Sequence, residues 1–509
     1  MFALNLPFDV YEHVISHLLN ENTADAISLS MVSRQMRNNV LPVVFCQVRW
    51  PKNREPIFFP SSLWPYIKKF EFSYDNEPPW SSRHIAYLTS LSEALPHLPN
   101  IVTFIYTIQK FAPNISLIEA LASSPSLQSL HISTPFLIHD ASALLHSFHG
   151  IRRLVIEQMG QATLYSAPAH KRALSIQCVA NIVQGCSESL EYLEVPGEYC
   201  PLSDLESGII SLPTLRKLII KGFPPMESDS HKYPLWTVVK SMPRLNVLEI
   251  HCRLRIIGAL PHRYELLPRE ALIGSEMDSF SSQIESITIS NPSLSDQIFK
   301  RLPHSLRYLV LDFIPGWENM LSSGDTLAYH NPNEVLRLFN SLSTEGVKHF
   351  SRPHLEQLCI KMGWCITVKL LKSIYQTFPG LQGLELQGIR YFNRAEEPES
   401  DMEGIAAILE KFQHLDTLKL AVELREDSYQ EDISRIRQIG SVDESMQYWA
   451  NILGERVLTL QRLAFEKRRH TGKGYGRRAA IGTPLWVWFL PNVHHVGSDT
   501  MRRSEEIFD

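Results

Sequence analysis

The chain has 509 residues, of which 44% are apolar and 20% are charged, a composition typical of globular proteins and not of disordered ones. This length corresponds to about three ordinary domains or to one extended repeat array. The formal net charge of −5, from 49 basic and 54 acidic residues, gives no indication of a nucleic-acid partner.

No apolar run reaches the length of about eighteen residues that a membrane span requires, and no basic-then-apolar leader opens the chain. We therefore expect no membrane association, and a location in the cytoplasm, the nucleus or both. The seven cysteines are scattered and form no C-x-x-C motif. Free thiols in a reducing compartment are expected, with neither disulfides nor zinc.

The first predicted elements are three short amphipathic helices within residues 4–45, and we assign residues 1–48 to a helical module. Apolar residues recur at helical spacing from Val10 to Leu19. Thr23 is placed to cap a second helix, and Ser33 to cap a third that ends before Pro42. So few residues cannot bury a core alone, so the module either caps one end of the following region or binds a partner.

The residues in this module that carry a family resemblance are Leu6-Pro7, Val10, Ile15, Leu18, Leu29-Ser30, Val32-Ser33-Arg34, Pro42 and Phe45. This set resembles the F-box, the helical module with which substrate receptors of SCF-type ubiquitin ligases bind a Skp-family adaptor. Met36 stands where the family usually has tryptophan, and it offers a less rigid contact area. The resemblance implies the following adaptor contacts: Leu6, Pro7, Val10, Val14, Ile15, Leu18, Leu29, Val32 and Met36.

From residue 49 to 466 one pattern of three apolar residues recurs. Two residues of any type separate the first apolar residue from the second, and one residue separates the second from the third. The thirteen units begin at Ile67, Ile101, Leu127, Ile151, Leu190, Leu215, Leu245, Ile284, Leu306, Leu355, Leu381, Leu415 and Leu460. In seven of them a proline stands two residues before the first apolar position, where fewer than about one coincidence is expected. This proline marks the return of the chain from a helix to a strand.

Segments with helical spacing lie between the units, for example Ile115 to Leu121 and Ile405 to Phe412. Strand–helix units restarting every 22 to 49 residues indicate an α/β fold, an irregular leucine-rich-repeat-like solenoid with a curved parallel sheet. The asparagine that regular repeats place after the strand is missing, since Pro135 and Phe223 occupy that position in two units. A β-sandwich is the alternative, which the helical segments disfavour.

Several segments interrupt this pattern. Residues 222–234, 262–282 and 318–352 are predicted insertions, and residues 394–403 form an acidic loop that is either solvated or a docking site. Residues 467–509 form a basic and aromatic closing segment. Its basic part could contact phosphates, but a loop followed by a terminal strand that closes the solenoid with buried tryptophans is the favoured interpretation.

No catalytic motif is present: the glycines at 472–476 lack phosphate-loop spacing, and neither G-x-S-x-G nor H-E-x-x-H occurs. The adjacent His494 and His495 would point to opposite faces of a strand and not to one metal. We therefore predict a protein that is not an enzyme and that needs no cofactor or metal.

Alternation along each strand places three residues of each unit on the inner face of the sheet: the second and fourth after the first apolar position, and the one after the last. This rule predicts a target-binding surface made of His131, Arg153, Tyr192, Glu194, Lys217, Lys221, Glu249, Tyr308, Asp312 and Lys361. With the F-box resemblance, it indicates a substrate receptor that binds a Skp-family adaptor and, through it, a cullin. The chain is similar to F-box proteins of mushroom-forming fungi; a repeat scaffold without a role in ubiquitin transfer is the alternative.

Overall fold

The structure is a computed structural model of the full chain. It describes residues 8–21, 28–50, 58–73, 81–108, 113–133, 142–157, 169–225, 235–239, 241–253, 255–257, 260–268, 283–312, 335–339, 354–362, 366–388, 401–421, 442–467, 485–489 and 504–506. The chain divides into two compact units, Met1–Leu245 and Asn246–Asp509. Among the residues that the structure describes, no helix combines the length and the apolar character needed to cross a bilayer.

The sheet of the first unit follows the order of the chain. Its strands are β1 (Gln47–Trp50), β2 (Lys69–Phe72), β3 (Thr103–Tyr106), β4 (Ser129–Ser133), β5 (Arg153–Glu157), β6 (Tyr192–Pro196) and β7 (Lys217–Gly222). Each strand pairs in parallel with the next one in sequence. Such a ladder requires a crossover segment after every strand.

Most of these crossovers contain a helix, but their lengths differ. The α-helices of the first unit are Phe8–Glu21, Arg34–Val44, Ser81–Ala94, Ile115–Ala122, Ser142–Leu145, Ala169–Gly185, Leu202–Glu206 and Leu235–Val239, and residues 28–30 add a short helical turn. Three 3₁₀ helices span Ser61–Tyr66, Leu95–His97 and Gly197–Tyr199. The prediction of uneven strand–helix repeats is therefore confirmed, including the helix predicted to begin at Ile115.

The second unit repeats the plan with strands β8 (Val247–Cys252), β11 (Ser286–Ser290), β12 (Tyr308–Asp312), β13 (Gln357–Met362), β14 (Gly383–Gly388), β15 (Thr417–Leu420) and β16 (Arg462–Lys467), all parallel. The strands β9 (Arg255–Ile257) and β10 (Leu260–His262) form a separate antiparallel hairpin. The strands β17 (Leu485–Phe489) and β18 (Ser504–Glu506) extend the sheet in antiparallel orientation.

Among the described residues, every crossover of the second unit contains a helix except the one from β8 to β11, which contains the hairpin. The α-helices of this unit are Val368–Thr377, Met402–Leu409 and Val442–Arg456, with a shorter helix at 335–339 and a 3₁₀ helix at Gln297–Lys300. The helix predicted around Ile405 is thus present. Parallel strands joined by helices exclude the β-sandwich alternative for the described residues, since a sandwich is built from antiparallel strands.

The apolar triads are the core of both units. All thirteen predicted triads lie on strands or just before them, and each of their side chains is at most 3% exposed. The register places equivalent positions side by side, for example Phe70 beside Phe104 and Phe104 beside Leu130. Because alternate residues of a strand share one face, each repeat adds one apolar layer to a continuous core.

The recurrent proline lies in a tight turn before the strand. The second position of this four-residue turn is occupied by Pro125, Pro213, Pro243 or Pro379. The turn is closed by a hydrogen bond from the N–H of the first apolar residue to the carbonyl of the residue before the proline. The amide of Leu215, for example, donates to the carbonyl of Leu212 across Pro213. Proline favours this position because its fixed φ matches the turn and its missing N–H is not required there.

A ladder of side-chain hydroxyls joins neighbouring repeats at the turns that precede the strands. The residue just before the first apolar position donates a side-chain hydrogen bond to the carbonyl of the first apolar residue in the preceding repeat. Five such bonds among the described residues, each 2.7 to 3.0 Å long, come from Ser126 to Ile101, Ser189 to Ile151, Thr214 to Leu190, Ser305 to Ile284 and Thr459 to Leu415. This ladder fixes the spacing of neighbouring repeats on the turn side of the core.

Two details differ from the sequence prediction. The helix expected to end before Pro42 continues to Val44, because a proline in the last turn removes a single N–H donor while the amide of Phe45 still bonds to Leu41. Strand β1 spans the boundary predicted at residue 48, so the first sheet strand begins within the segment assigned to the helical module.

Other predictions fall mostly outside the described residues. These include the larger parts of the three insertions, residues 394–400 of the acidic loop, and residues 468–484 of the basic tail. In the aromatic part of the tail, Val487 and Phe489 are buried and Trp488 is half-buried. The predicted terminal strand is present as β17, but its tryptophans are not shown to be buried, because Trp488 is half-buried and the Trp486 side chain lies outside the described residues.

Candidate interaction surfaces

The N-terminal helices have a small core of their own. Ile15, Val40 and Val43 are buried, and Leu18, Leu29 and Met36 pack around them while partly exposed, as does Val44. Ser33 caps the helix Arg34–Val44 as predicted, accepting a hydrogen bond from the amide of Met36 at 3.1 Å. The two helices Phe8–Glu21 and Arg34–Val44 thus pack directly against each other.

Three large apolar side chains of this module lie outside that core. Val14 is 46% exposed, Met31 67% and Val32 71%. Ile15, predicted as an adaptor contact, is instead fully buried, because the inward face of the first helix is needed to form the module's own core. Leu6 and Pro7 lie outside the described residues, and for Val10 the structure describes the backbone only.

The polar positions of β4 to β7 lie on the opposite face from the apolar triads. Cross-strand pairing aligns Arg153, Tyr192 and Lys217 in one row, and Val155, Glu194 and Ile219 in the next. Residues two apart on one strand also contact each other, as between Tyr192 and Glu194. These contacts confirm that the predicted residues share a face.

Glu194 organises the centre of this face. Its side chain is only 5% exposed, and Oε2 accepts a hydrogen bond of 2.8 Å from the phenol of Tyr192. The ammonium of Lys221 lies 2.5 Å from Oε1, close enough for an ion pair but without the alignment of a hydrogen bond. Burial, together with the bond to Glu194, raises the pKa of Tyr192 to about 12, so the phenol remains a donor at neutral pH.

His131 takes part in a second polar contact. Glu157 lies 3.2 Å from its Nε2 and also accepts a hydrogen bond of 2.9 Å from Ser133. The hydrogen bond from His131 lowers the pKa of Glu157 to about 2, against the opposing effect of burial. Glu157 is therefore ionised throughout the physiological range.

The exposed Arg153 lies against the half-buried ring of Tyr192 on this face. The guanidinium carbon of Arg153 lies 3.7 Å from the centre of the Tyr192 ring, and the ammonium of Lys217 lies 5.9 Å from the same centre. A cation over an aromatic face is stabilised by the ring quadrupole, and Arg stacks especially well because its guanidinium is planar. The ring therefore holds two positive charges beside it.

The second unit has its own charge cluster. The Nε2 of His251 lies 3.1 Å from Glu249 and its Nδ1 lies 3.8 Å from Asp312, which also pairs with Lys361 at 3.0 Å. Asp312 and Glu249 raise the pKa of His251; Glu249 accepts a hydrogen bond, whereas the distance to Asp312 is that of a charge contact. These four predicted or neighbouring residues form a connected network.

Two further features lie on this face of the second unit. Tyr308 begins β12 and is 36% exposed, which agrees with the prediction of an accessible aromatic residue. The ammonium of Lys419 lies 3.2 Å from Glu385 and 5.3 Å from the ring centre of Trp488. The role of Trp488 could not be derived from sequence, because its contact depends on the antiparallel return of β17.

The described side chains offer little for catalysis. In the ranges given above, no three His, Cys, Asp or Glu side chains converge as a metal site. Burial raises the pKa of the Cys186 and Cys200 thiols to about 12, so both stay protonated and are poor nucleophiles. The chemistry that these surfaces do offer is recognition through charge, hydrogen bonds and aromatic contact.

No protein-family model and no curated protein matches the sequence. Among solved structures, the fold is similar to TLR13 in a complex with ssRNA13 (TM-score 0.32, 13% identity), with 70% of this chain and 46% of that chain covered. It is also similar to a Leptospira interrogans LRR protein, with a TM-score of 0.27, 12% identity, and 71% of this chain and 74% of that chain covered. A third similar structure is the Toll–Spatzle complex of Drosophila, with a TM-score of 0.26, 12% identity, and 75% of this chain and 58% of that chain covered.

The chain thus spans less than half the length of the TLR13 chain. The leucine-rich-repeat-like assignment rests on the strand ladder itself. Its basis is the sequential parallel strands, the helical crossovers and the buried triads described above.

Proposed function

We propose that this chain is the non-catalytic substrate receptor of an SCF-type ubiquitin ligase. In this proposal the N-terminal helices bind a Skp-family adaptor, and through it a cullin, while the polar sheet face binds a target protein. The chain then acts by proximity, since holding a target lysine near activated ubiquitin raises the effective concentration of the reacting groups.

The observation that supports adaptor binding is the exposure of Val14, Met31 and Val32 on a module that already has a core. Isolated exposed apolar residues are common on protein surfaces. Three of them in one small module, within the segment that resembles an F-box, favour a surface that a partner covers. The partner that the resemblance implies is a Skp-family adaptor.

The test is co-purification of the full chain with adaptor and cullin. The double variant Met31→Asp with Val32→Asp should reduce adaptor capture at least about tenfold, since a charge buried in an apolar contact costs several kcal/mol. Leu458→Asp is the matched control, because Leu458 is an apolar residue of the second unit that is 80% exposed. Equal adaptor capture by the double variant and the control would refute the proposed surface.

Charging Ile15 or Leu18 is a poorer test of the same idea. Ile15 is fully buried and Leu18 packs beside it, so a glutamate at either position would disrupt the module itself. A loss of adaptor binding would then report unfolding and not the loss of a contact.

A scaffold without a role in ubiquitin transfer is the second candidate, and one contact favours it. The helix Arg34–Val44 contacts the 3₁₀ helix Ser61–Tyr66 and leads almost directly into β1. This arrangement is that of a cap on the first repeats. A scaffold would bring down the adaptor alone or neither protein, whereas a receptor brings down adaptor and cullin together.

A further inference from the structure

Residues 263–268 form a buried segment of the second unit that contains neither helix nor strand. They follow the hairpin of β9 and β10 in the crossover from β8 to β11. Leu266 and Leu267 are fully buried, and Tyr264 is 6% exposed. Because a buried backbone needs partners for its amide groups, this segment must find them outside a regular ladder.

One carboxylate provides these partners. Asp296 accepts a hydrogen bond of 2.8 Å from the amide of Leu266 through Oδ2, and one of 3.1 Å from the amide of Leu267 through Oδ1. Oδ1 also accepts from the amide of Ile298 at 3.0 Å, which caps the 3₁₀ helix that begins at Gln297. The amide of Gln297 donates in return to the carbonyl of Leu267 at 3.0 Å. Asp296, 30 residues after Leu266, thus joins the buried segment to the 3₁₀ helix.

The loop that carries Asp296 is fixed from its other end. Asn291 has a φ of 50°, in the left-handed region that asparagine tolerates. Its side chain donates to the carbonyl of Cys252 at 2.9 Å, and its amide donates to the carbonyl of Asp312 at 2.9 Å. These bonds tie the loop to the last residues of β8 and β12. If the two parts separate, we therefore expect residues 263–268 to move and Asp296 to stay in place.

The carboxylate of Asp296 is buried beside a second acidic group. Its charged neighbour is Glu265, whose carboxylate accepts hydrogen bonds from the hydroxyl of Ser293, at 2.8 Å, and from that of Ser295. Burial raises the pKa of Asp296 to about 7, although its three amide bonds lower it, and Glu265 adds to the rise. A protonated carboxyl keeps acceptor capacity on both oxygens, so the amide bonds can persist in the neutral form.

The other titratable and charged groups around Asp296 lie on the two segments that it joins. The buried segment carries Tyr264 and also Arg263, which donates to a backbone carbonyl at 3.4 Å. The 3₁₀ helix ends at Lys300, and Arg301 follows it. None of these described cations lies within ion-pair distance of Asp296, so its negative charge is not compensated by a neighbour.

We propose that Asp296 is a pH-dependent latch, which holds residues 263–268 closed when it is neutral and loosens them when it ionises. In the open segment the carboxyl reaches water and recovers a pKa near 3.8. The closed form therefore binds a proton more tightly than the open form, so acid favours closing. Opening increases as the pH rises from about 4 to about 7 and is nearly constant above that range. It exposes Leu266 and Leu267 and releases the end of the hairpin that precedes them.

The test is hydrogen–deuterium exchange of the full chain, followed by mass spectrometry between about pH 5 and pH 8. The measured quantity is the protection factor of peptides that contain the amides of Leu266 and Leu267, because division by the intrinsic rate removes the ordinary pH dependence of exchange. From pH 5 to pH 7 this factor should fall about 50-fold, the ratio that follows from pKa values of about 7 when closed and 3.8 when open. Peptides of the helix Ile115–Ala122, in the first unit, serve as the internal reference and should keep their protection.

Three variants assign the effect to the latch. Asp296→Asn fixes the neutral state, so the protection of residues 263–268 should vary less than about threefold over the same pH range. Glu265→Gln removes the repelling charge and should lower the pH at which the fall in protection levels off. Glu285→Gln, which changes an exposed carboxylate just before β11, is the matched control and should leave the pH dependence unchanged.

Each outcome decides for or against the latch. A protection factor that stays constant from pH 5 to pH 8, or that rises with pH, would overturn it, as would a pH dependence that survives in Asp296→Asn. If that variant does not fold, Glu265→Gln decides, since it changes a side chain that is only half-buried. A lowered levelling-off pH then supports the latch, and an unchanged one rejects it. Adaptor capture and target binding do not enter this experiment, so its failure leaves the proposed function unaffected.

Discussion

Replacing Tyr192 by phenylalanine isolates one hydrogen bond in the first unit. The change removes the phenol that donates to Glu194 at 2.8 Å but keeps the ring against which Arg153 stacks. Because the Glu194 side chain is only 5% exposed, water cannot readily replace the lost donor. Removing a hydrogen bond to a charged group costs about 1.5–3 kcal/mol, and Lys221 beside the other oxygen favours the lower end.

For a unit the size of Met1–Leu245, each kcal/mol shifts Tm by about 2–4 °C, so a decrease of about 3–12 °C is expected in thermal unfolding followed by circular dichroism. Tyr308→Phe is the matched control: Tyr308 is 36% exposed, and the change should stay within about 0.5 kcal/mol.

The same change in a Glu194→Ala background tests the assigned cause. There the acceptor is absent, so Tyr192→Phe should cost less than about 0.5 kcal/mol. If the cost remains the same with and without Glu194, the hydrogen bond is not the source of the stability. If Tyr192→Phe alone leaves Tm unchanged, the assignment of a buried, charge-assisted bond is refuted.

Two other expectations follow from the described contacts. Thr214→Val removes one hydrogen bond of the hydroxyl ladder, the bond of 3.0 Å to the carbonyl of Leu190. The free energy of unfolding, measured in urea, should fall by about 1 kcal/mol. Thr107→Val is the control and should lower it less, because the contact of Thr107 with the carbonyl of Phe72 is 3.5 Å long. The raised pKa of His251 means that its stabilising contribution is fully present below about pH 6.5 and is lost as the pH rises through the folded value. NMR titration of the His251 ring should show this raised pKa and the variant Glu249→Gln should lower it; a value at or below that of free histidine would contradict the network.

The core could be predicted from sequence because its signal is local. Three apolar residues in a fixed spacing, with a proline before them, are sufficient to place a strand, as at Leu215 and Leu381. The hydroxyl ladder had a local signal too, in the serine or threonine just before the triad at Ser126, Thr214 and Thr459. The asparagine pattern of regular repeats does not predict this ladder, because it concerns the position after the strand and not the one before it.

The surfaces were less predictable, for two physical reasons. In the first helix, Val14 and Ile15 are adjacent and both apolar, so periodicity does not determine which one faces the module's core. On the sheet, the ion pair between Glu194 and Lys221 depends on the register of two strands separated by a crossover. Crossover length sets that register through tertiary packing, which a single sequence does not display.

The internal pairing of charges on the sheet face bears directly on how it can bind a partner. A group such as Asp312, which is already bound by Lys361 and close to His251, gains little from a new partner because it must first give up those contacts. Arg153 is different, because its guanidinium carbon lies 3.7 Å from the centre of the Tyr192 ring and no described carboxylate lies within ion-pair distance of it. The paired carboxylates therefore stabilise the face internally, whereas a partner can contact the exposed Arg153 without breaking an ion pair. Substitutions of the paired carboxylates should appear mainly in unfolding experiments, and substitutions of Arg153 mainly in binding.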